Sequence, residues 1–405
     1  MNLLKLLQIS KYNIVLNNRV SSSSFQEAMK YPMKLGQVLS YFPINLRHAN
    51  ESLEFRWLYW RMAYSLITFV LFCIEFVFVV IDAFRTTIDL LNIKVIVFHL
   101  GALVQFVIFF RLTYNWPSFV KEWAKVEFHM KCYEITGNLR FKLACLVTGL
   151  MFIAGVEHGL VNAYKLKRRF DEEPSYSKAF ETFFTYTYTH IFRVMEYSFW
   201  LGLLIQFMNL QRTFYWNYND VFIMLIGSAL TFKMKQMSKK IKDSSKIKVR
   251  NLQVWKTIRQ DYARLSELCH LVNERISGAI IASFLLNLYF VILQLHSSLR
   301  PIESVVEKIY FYLSFGLLLL RIFCMCTFGG AVYEEWINIR YYLNRIGTAA
   351  YNYEIDRLIN HVVSWELSLT GKKFFSITRG LILQMAGAIV TYELFLIQFY
   401  KNPNV

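Results

Sequence analysis

Cysteine is sparse and forms no framework. Cys73, Cys132, Cys145, Cys269, Cys324 and Cys326 are scattered, and only Cys324-Met-Cys326 is close-set. That pair lies in an apolar run with no second pair, so it reads as small buried hydrophobes rather than a metal site. None of the six falls in a segment placed outside the cell below, which argues against a disulfide scaffold. A glycine-rich phosphate loop and a nucleophile elbow are missing too. The adjacent Glu157 and His158 could do acid–base work, but no second His follows at metal-ligand spacing. No enzyme and no cofactor are expected. Lys and Arg number 45 against 28 Asp and Glu, a formal charge of +17. Zinc-finger spacing, an RNP-like strand and an isolated basic domain are all absent, so no nucleic-acid partner is expected. There is no internal repeat and no low-complexity stretch beyond Ser21 to Ser24. The run "LLKLLQI" is too short for a signal peptide and lacks a small-residue cleavage site.

What the sequence has is long hydrophobic runs. Of its 405 residues 55% are hydrophobic and 17% aromatic, and the apolar residues cluster rather than disperse. This is the signature of membrane helices, which need roughly 20 apolar residues to cross the hydrocarbon core. The expected class is an all-α membrane protein with seven spans, near 62–81, 92–112, 143–163, 196–216, 276–296, 308–328 and 379–400. The basic residues orient them. Lys233, Lys235, Lys239, Lys240, Lys242, Lys246, Lys248 and Arg250 follow span four, and Lys121, Lys125, Lys131, Arg140 and Lys142 lie between spans two and three. Roughly three quarters of Lys and Arg fall on the side shared with the N-terminus, which the positive-inside rule makes cytoplasmic. An odd number of spans then puts the C-terminus outside, opposite to a G-protein-coupled receptor. The sequon Asn50-Glu51-Ser52 is placed in the cytoplasm and is expected to be unmodified.

Span four has no clear end. After the polar knot "NLQRTFYWNYND" the apolar sequence continues through "VFIMLIGSALTF", with no Pro or Gly pair to break it. One helix from about 196 to 245 fits, far longer than a bilayer is thick. Leu252, Trp255, Ile258, Tyr262, Leu265, Leu268 and Leu271 are spaced as one helix face ahead of span five, so this stretch is expected to pack on the end of the fourth helix outside lipid. The resulting division is a cytoplasmic segment 1–61, helices one to four over 62–216, a cytoplasmic extension 217–275 and helices five and six over 276–328. A second cytoplasmic extension, 329–378, precedes helix seven at 379–400 and a tail at 401–405.

Polar groups at membrane depth are costly, and so point to function. With the orientation above, Glu75, His99, Glu157, His158, Trp200, Asn287, Gln294 and Tyr312 fall in the outer parts of six helices, with Gln206 slightly deeper. A cup between helices would satisfy them, and amides, carboxylates and aromatic faces suit a small neutral polyol such as a sugar. In the last span Gln384, Thr391 and Gln398 recur every seven residues, so they share one face. Such a stripe could line a pore formed by symmetric copies about an axis.

The end of that span, Thr391-Tyr392-Glu393-Leu394-Phe395-Leu396-Ile397-Gln398-Phe399, resembles the signature of the insect gustatory receptor family: Thr-Tyr, five mostly hydrophobic residues, Gln-Phe. Glu393 and the stretches "SFQEAMKYPMKLGQVLSYFPI", "LLIQFMNLQRTFYWNYNDVFIMLI" and "LSLTGKKFFSITRGLILQMAGAIV" are similar to its sugar-receptor branch, from about Phe25 to Phe399. The resemblance implies a sugar-gated cation channel in the plasma membrane of a taste neuron. It implies a homotetramer, or a heteromer with related receptors, with the seventh helices around a central pore. It also implies cytoplasmic extensions of helices four to six forming the anchor between subunits, and a ligand pocket in each subunit toward the outside. The motif's Gln carries over to Gln398; Phe395 and Phe399 are candidates for an apolar constriction. The alternative within the family is a receptor for a bitter or other non-sugar ligand. A sugar carrier is disfavoured by the lack of discontinuous helices and of a two-fold repeat.

Overall fold

The computed structural model describes residues 24–44, 60–86, 90–134, 137–173, 175–298 and 305–401. Asn50 lies outside them. Among the described residues eleven α-helices run in order: α1 (Phe25–Val38), α2 (Trp60–Arg85), α3 (Leu90–His129), α4 (Leu139–Glu172), α5 (Tyr176–Thr187), α6 (Thr189–Phe192), α7 (Phe199–Lys246), α8 (Leu252–Ser298), α9 (Val305–Asn344), α10 (Tyr353–Ser364) and α11 (Gly380–Lys401). A short hairpin, β1 (Thr370–Gly371) and β2 (Phe375–Ser376), separates α10 from α11.

Among the described residues five helices are long and apolar enough to cross a membrane: α2, α3 from Asn92, α4, α8 and α9. Gly380–Phe395 of α11 is a shorter apolar helix. The first half of α7 falls short because Gln206, Asn209, Gln211 and Arg212 interrupt its apolar residues. The unbroken fourth segment is one 48-residue helix, about 72 Å long at 1.5 Å per residue. Every residue from Asn217 to Met234 is buried. A helix covered on all faces is the axis of a bundle, not a surface element.

Its closest neighbour is α9. A Cβ on Gly227 would lie 2.8 Å from the Phe328 carbonyl oxygen and 2.9 Å from Gly329 Cα, so the backbones touch there. On the other side of α9, a Cβ on Gly330 would lie 3.1 Å from the Thr378 carbonyl carbon and 3.2 Å from the Arg379 nitrogen, just ahead of α11.

The segment ahead of span one is ordered by aromatics. Phe25 of α1 stacks on Trp123 with ring centroids 3.8 Å apart, and Tyr41 and Phe42 insert among Phe109, Tyr215 and Phe222. Helix α3 continues through Pro117 to His129, well beyond the expected end of span two. The 164–195 loop is largely helical: α4 extends to Glu172, whose carboxylate pairs with Arg168 at 2.9 Å and Arg169 at 2.5 Å, and α5 and α6 follow. The stretch expected as a second extension, 329–378, is not one continuous helix. α9 ends at Asn344, a 3₁₀ turn spans Thr348–Ala350, and α10 begins after Asn352, whose side chain accepts from the Glu354 and Ile355 amides. The hairpin pairs Thr370 with Ser376 through a turn in which Lys372 and Lys373 both have positive φ, 50° and 65°. Asn273 of α8 pins it, accepting from the Thr370 amide at 2.7 Å.

Candidate functional site

A cavity of about 420 Å³ opens among α3, α4, the α5–α6 junction, α7, α8 and α9. The long polar knot of α7 supplies one wall, because Asn209, Thr213, Trp216 and Asn217 follow at helical spacing. α3 contributes Phe98 and His99; α4 contributes Glu157, His158 and Asn162. α8 gives Phe290 and Gln294, and α9 gives Tyr310, Ser314 and Arg321. Some of these groups satisfy each other. Gln294 Nε2 donates to Ser314 Oγ at 3.3 Å, and Ser314 Oγ donates to Glu157 at 2.6 Å. Others are left over: His158 Nε2, His190 Nε2 and Gln294 Oε1 are buried and make no hydrogen bond among the described residues. A neighbouring hollow of about 350 Å³ shares Val161, Lys165, Thr187 and Tyr310 with the cavity and carries Arg168, Arg169 and Glu307. A third, of about 500 Å³, lies at the far ends of α3 and α8 and includes Glu122, Lys125, Arg264 and Glu267. None of the expected ligand residues touches it.

Two buried ion pairs bracket the cavity. At its floor the Arg321 guanidinium lies 2.7 Å from Asp220, donates to Asn217 at 2.5 Å and to Asn287 at 2.8 Å, and packs on the Trp216 ring. Asn287 donates in turn to Asp220 at 3.0 Å and accepts from Trp216 Nε1 at 3.0 Å; Ser283 also bonds Asp220. Behind the α3 wall, Arg212 grips Glu75 with two hydrogen bonds of 2.5 and 2.6 Å, and His99 and His190 face the same carboxylate. Both pairs keep their charges compensated at almost no exposure, as buried charges require.

The residues expected to bind ligand therefore divide. His99, Glu157, His158 and Gln294 line the cavity. Asn287 lies just beneath it in the Asp220 network, and Glu75 lies behind the wall, held by Arg212. Gln206 accepts from the Tyr188 hydroxyl at 2.5 Å, beside the small core around Ile205 and Phe184. Trp200 and Tyr312 point away; they are 77% and 68% exposed and do not touch the cavity. Trp216, Asn217 and His190 line it without having been expected there. The signals for the first two were present in the polar knot itself. His190 lies between the expected third and fourth spans, in a stretch that was assigned no site residue.

Along α11, Leu381, Ile382, Met385, Ile389 and Tyr392 pack against the main core. Gln384, Thr391, Phe395 and Gln398 are exposed on other faces, and Glu393 is half-buried. The side chain of Phe399 lies outside the described residues.

The fold is one already seen in a solved insect olfactory receptor. The chain superimposes on the olfactory receptor OR5 of Machilis hrabei with a TM-score of 0.62 at 15% identity, covering 91% of this chain and 97% of that one. The sequence profile described as trehalose receptor matches residues 7–405, so the chain belongs to that family, the sugar branch of the insect gustatory receptors. It is 29% identical over 394 residues to the Drosophila melanogaster gustatory receptor 5a for trehalose, covering 96% of this chain and 88% of that protein. It is 28% identical over 395 residues to the Drosophila gustatory receptor for sugar taste 64f, covering 95% and 83%.

Proposed function

We propose that this protein is a sugar-gated, non-selective cation channel of the taste-neuron plasma membrane, a sweet-taste receptor. The observation that carries the reading is the convergence of partnerless polar atoms, His158 Nε2 and Gln294 Oε1, on a cavity of about 420 Å³. Small-molecule sites run roughly 300–1,000 Å³. A buried polar atom without a partner is unfavourable, and a polyol brings donors and acceptors together. Glu157, Asn162 and Asn209 extend the polar wall, while Trp216, Phe98 and Phe290 offer apolar faces for the C–H surface of a sugar ring. The relatives described for trehalose and for sugar taste support the same ligand class.

Seven helices cross the membrane in this reading, with the N-terminus inside. The polar first half of α7 crosses because Arg212 is neutralised by Glu75. Four copies, of this chain or with related receptors, join through the cytoplasmic ends of α7, α8 and α9 with α10. The α11 helices surround the permeant cations with Gln384, Thr391, Phe395, Gln398 and Phe399. A non-sugar ligand is the second reading, favoured by the aromatic side of the cavity.

The test is expression of the chain alone in a cell without taste receptors, with whole-cell current recorded against a panel of mono- and disaccharides and of bitter compounds. Sugar-evoked inward current within milliseconds, with no nucleotide in the pipette, is the expected result. Slow current requiring GTP would refute the channel; response to bitter compounds alone would refute the sugar.

A further inference from the structure

We propose that Glu75, His99 and His190 form a binding site for a divalent transition-metal ion, zinc by its donor set, at the wall of the cavity. The starting point is His99. Its Nδ1 lies 2.8 Å from the carbonyl oxygen of Val95, which can only accept, so Nδ1 carries the proton. The neutral ring then presents a bare lone pair at Nε2. That lone pair faces Glu75 Oε1 at 3.4 Å, and an ionised carboxylate is also only an acceptor. Two lone pairs at this distance require something positive between them.

His190 supplies a third donor atom. It is 7% exposed, and its Nε2 stands 3.6 Å from the same Oε1 with no hydrogen bond among the described residues. The three ligand atoms lie within 4.8 Å of one another. Zinc bonds of about 2.0–2.1 Å at tetrahedral angles put neighbouring ligand atoms about 3.3–3.4 Å apart, close to the 3.4 and 3.6 Å that separate the two imidazole nitrogens from Glu75 Oε1. Two imidazoles and one carboxylate are a borderline-soft set that suits zinc better than calcium or magnesium. The surrounding contacts are those that orient metal ligands: a backbone carbonyl fixes the His99 tautomer, and Arg212 holds the carboxylate. Since His99 and His190 also line the cavity, a fourth coordination position opens toward it. The charge of Arg212 opposes the ion, which makes the site exchangeable rather than structural. When filled, it ties α6 to α2 and α3.

The inference does not rest on the sugar reading, and its test uses no sugar. The full-length chain, purified in detergent in metal-free buffer, is titrated with cobalt(II) as a spectroscopic probe and then with zinc. Visible bands of tetrahedral cobalt at one equivalent per chain, bleached by zinc, are expected. Losing one oriented contact around a metal costs about 10–100-fold in affinity, so loss of a ligand in His190→Ala or His99→Ala should weaken binding by at least that factor. His129→Ala, at the exposed end of α3, should bind as the wild type does. No cobalt bands in the wild-type chain would overturn the proposal and leave a proton between Nε2 and Oε1. So would a well-folded His190→Ala that keeps the wild-type affinity. Should either variant misfold, the wild-type titration decides.

Discussion

Replacing Glu75 by Gln tests what this carboxylate does. In the structure each of its oxygens accepts a hydrogen bond from Arg212, whose side chain is 1% exposed. The substitution keeps the shape and one acceptor but removes the charge, leaving a buried guanidinium without a counter-ion. Breaking such a pair from one side costs about 3–5 kcal/mol, or roughly two to three and a half orders of magnitude in the ratio of folded to unfolded chain. Typical stabilities are only about 5–15 kcal/mol, so Glu75→Gln should lose much of its surface population. The assay is surface biotinylation together with the melting temperature of solubilised protein by size exclusion, in chelating buffer so that no metal contributes. Replacing both partners, as Glu75→Gln with Arg212→Met, should recover most of the loss, because an apolar substitute for a whole buried pair is often neutral. If Glu75→Gln instead reaches the surface at the wild-type level, melts at the wild-type temperature and merely shifts the sugar dose–response, then Glu75 meets the ligand and the clamp is energetically idle.

Gln294→Leu and His158→Ala remove polar atoms from the cavity wall, and a lost ligand hydrogen bond of about 0.5–1.5 kcal/mol predicts dose–response shifts of roughly three- to tenfold at unchanged surface expression. Unshifted curves in both would move the ligand elsewhere. Gln398→Ala should alter single-channel conductance or leak with little change in sugar potency, whereas Glu393→Gln, at a half-buried position, should impair assembly or gating; the reverse pattern would mean that α11 presents another face to the pore. Cys132 is exposed in the turn after α3, while burial pushes the Cys269 thiol up to about 12. Near pH 7.5 a maleimide should modify Cys132 and spare Cys269, and an impermeant maleimide applied outside intact cells should not reach Cys132. External labelling of Cys132 would reverse the orientation.

Legibility of this chain follows the range of the interactions. Periodicity and hydropathy are local, so the apolar runs of α2, α4 and α9 were plain, as was the unbroken course of α7. The ends were not: α3 passes through Pro117, and α4 carries Lys165 to Arg169 into helix because Glu172 lies within reach. For the polar residues, position along a helix follows from the sequence, but azimuth does not. Trp200 and His99 were both assigned to the outer half of the bundle, yet one faces away and the other lines the cavity. Arg212 and Arg321 were visible as cations near apolar runs. That their partners are Glu75 and Asp220, the first 137 residues away in sequence, is tertiary information. The two-residue strands were invisible because their pairing depends on Asn273, about a hundred positions earlier.

The two glycine contacts on α9 have a mechanical consequence. Arg321, in the floor of the cavity, stands eight residues before Gly329, about 12 Å along a single helix. At that level α9 meets the axial helix through Gly227 and the strand of chain entering α11 through Gly330, in both cases main chain against main chain. Side chains can absorb a small shift by changing rotamer; touching backbones cannot, since a packed interior is nearly incompressible. A shift of α9 at Arg321 is therefore expected to be felt at the chain entering α11, beside Arg379. Gly330→Val, which would push α9 off the chain at Thr378 and Arg379, should therefore reduce sugar-evoked current while surface expression and the cavity residues stay as they are.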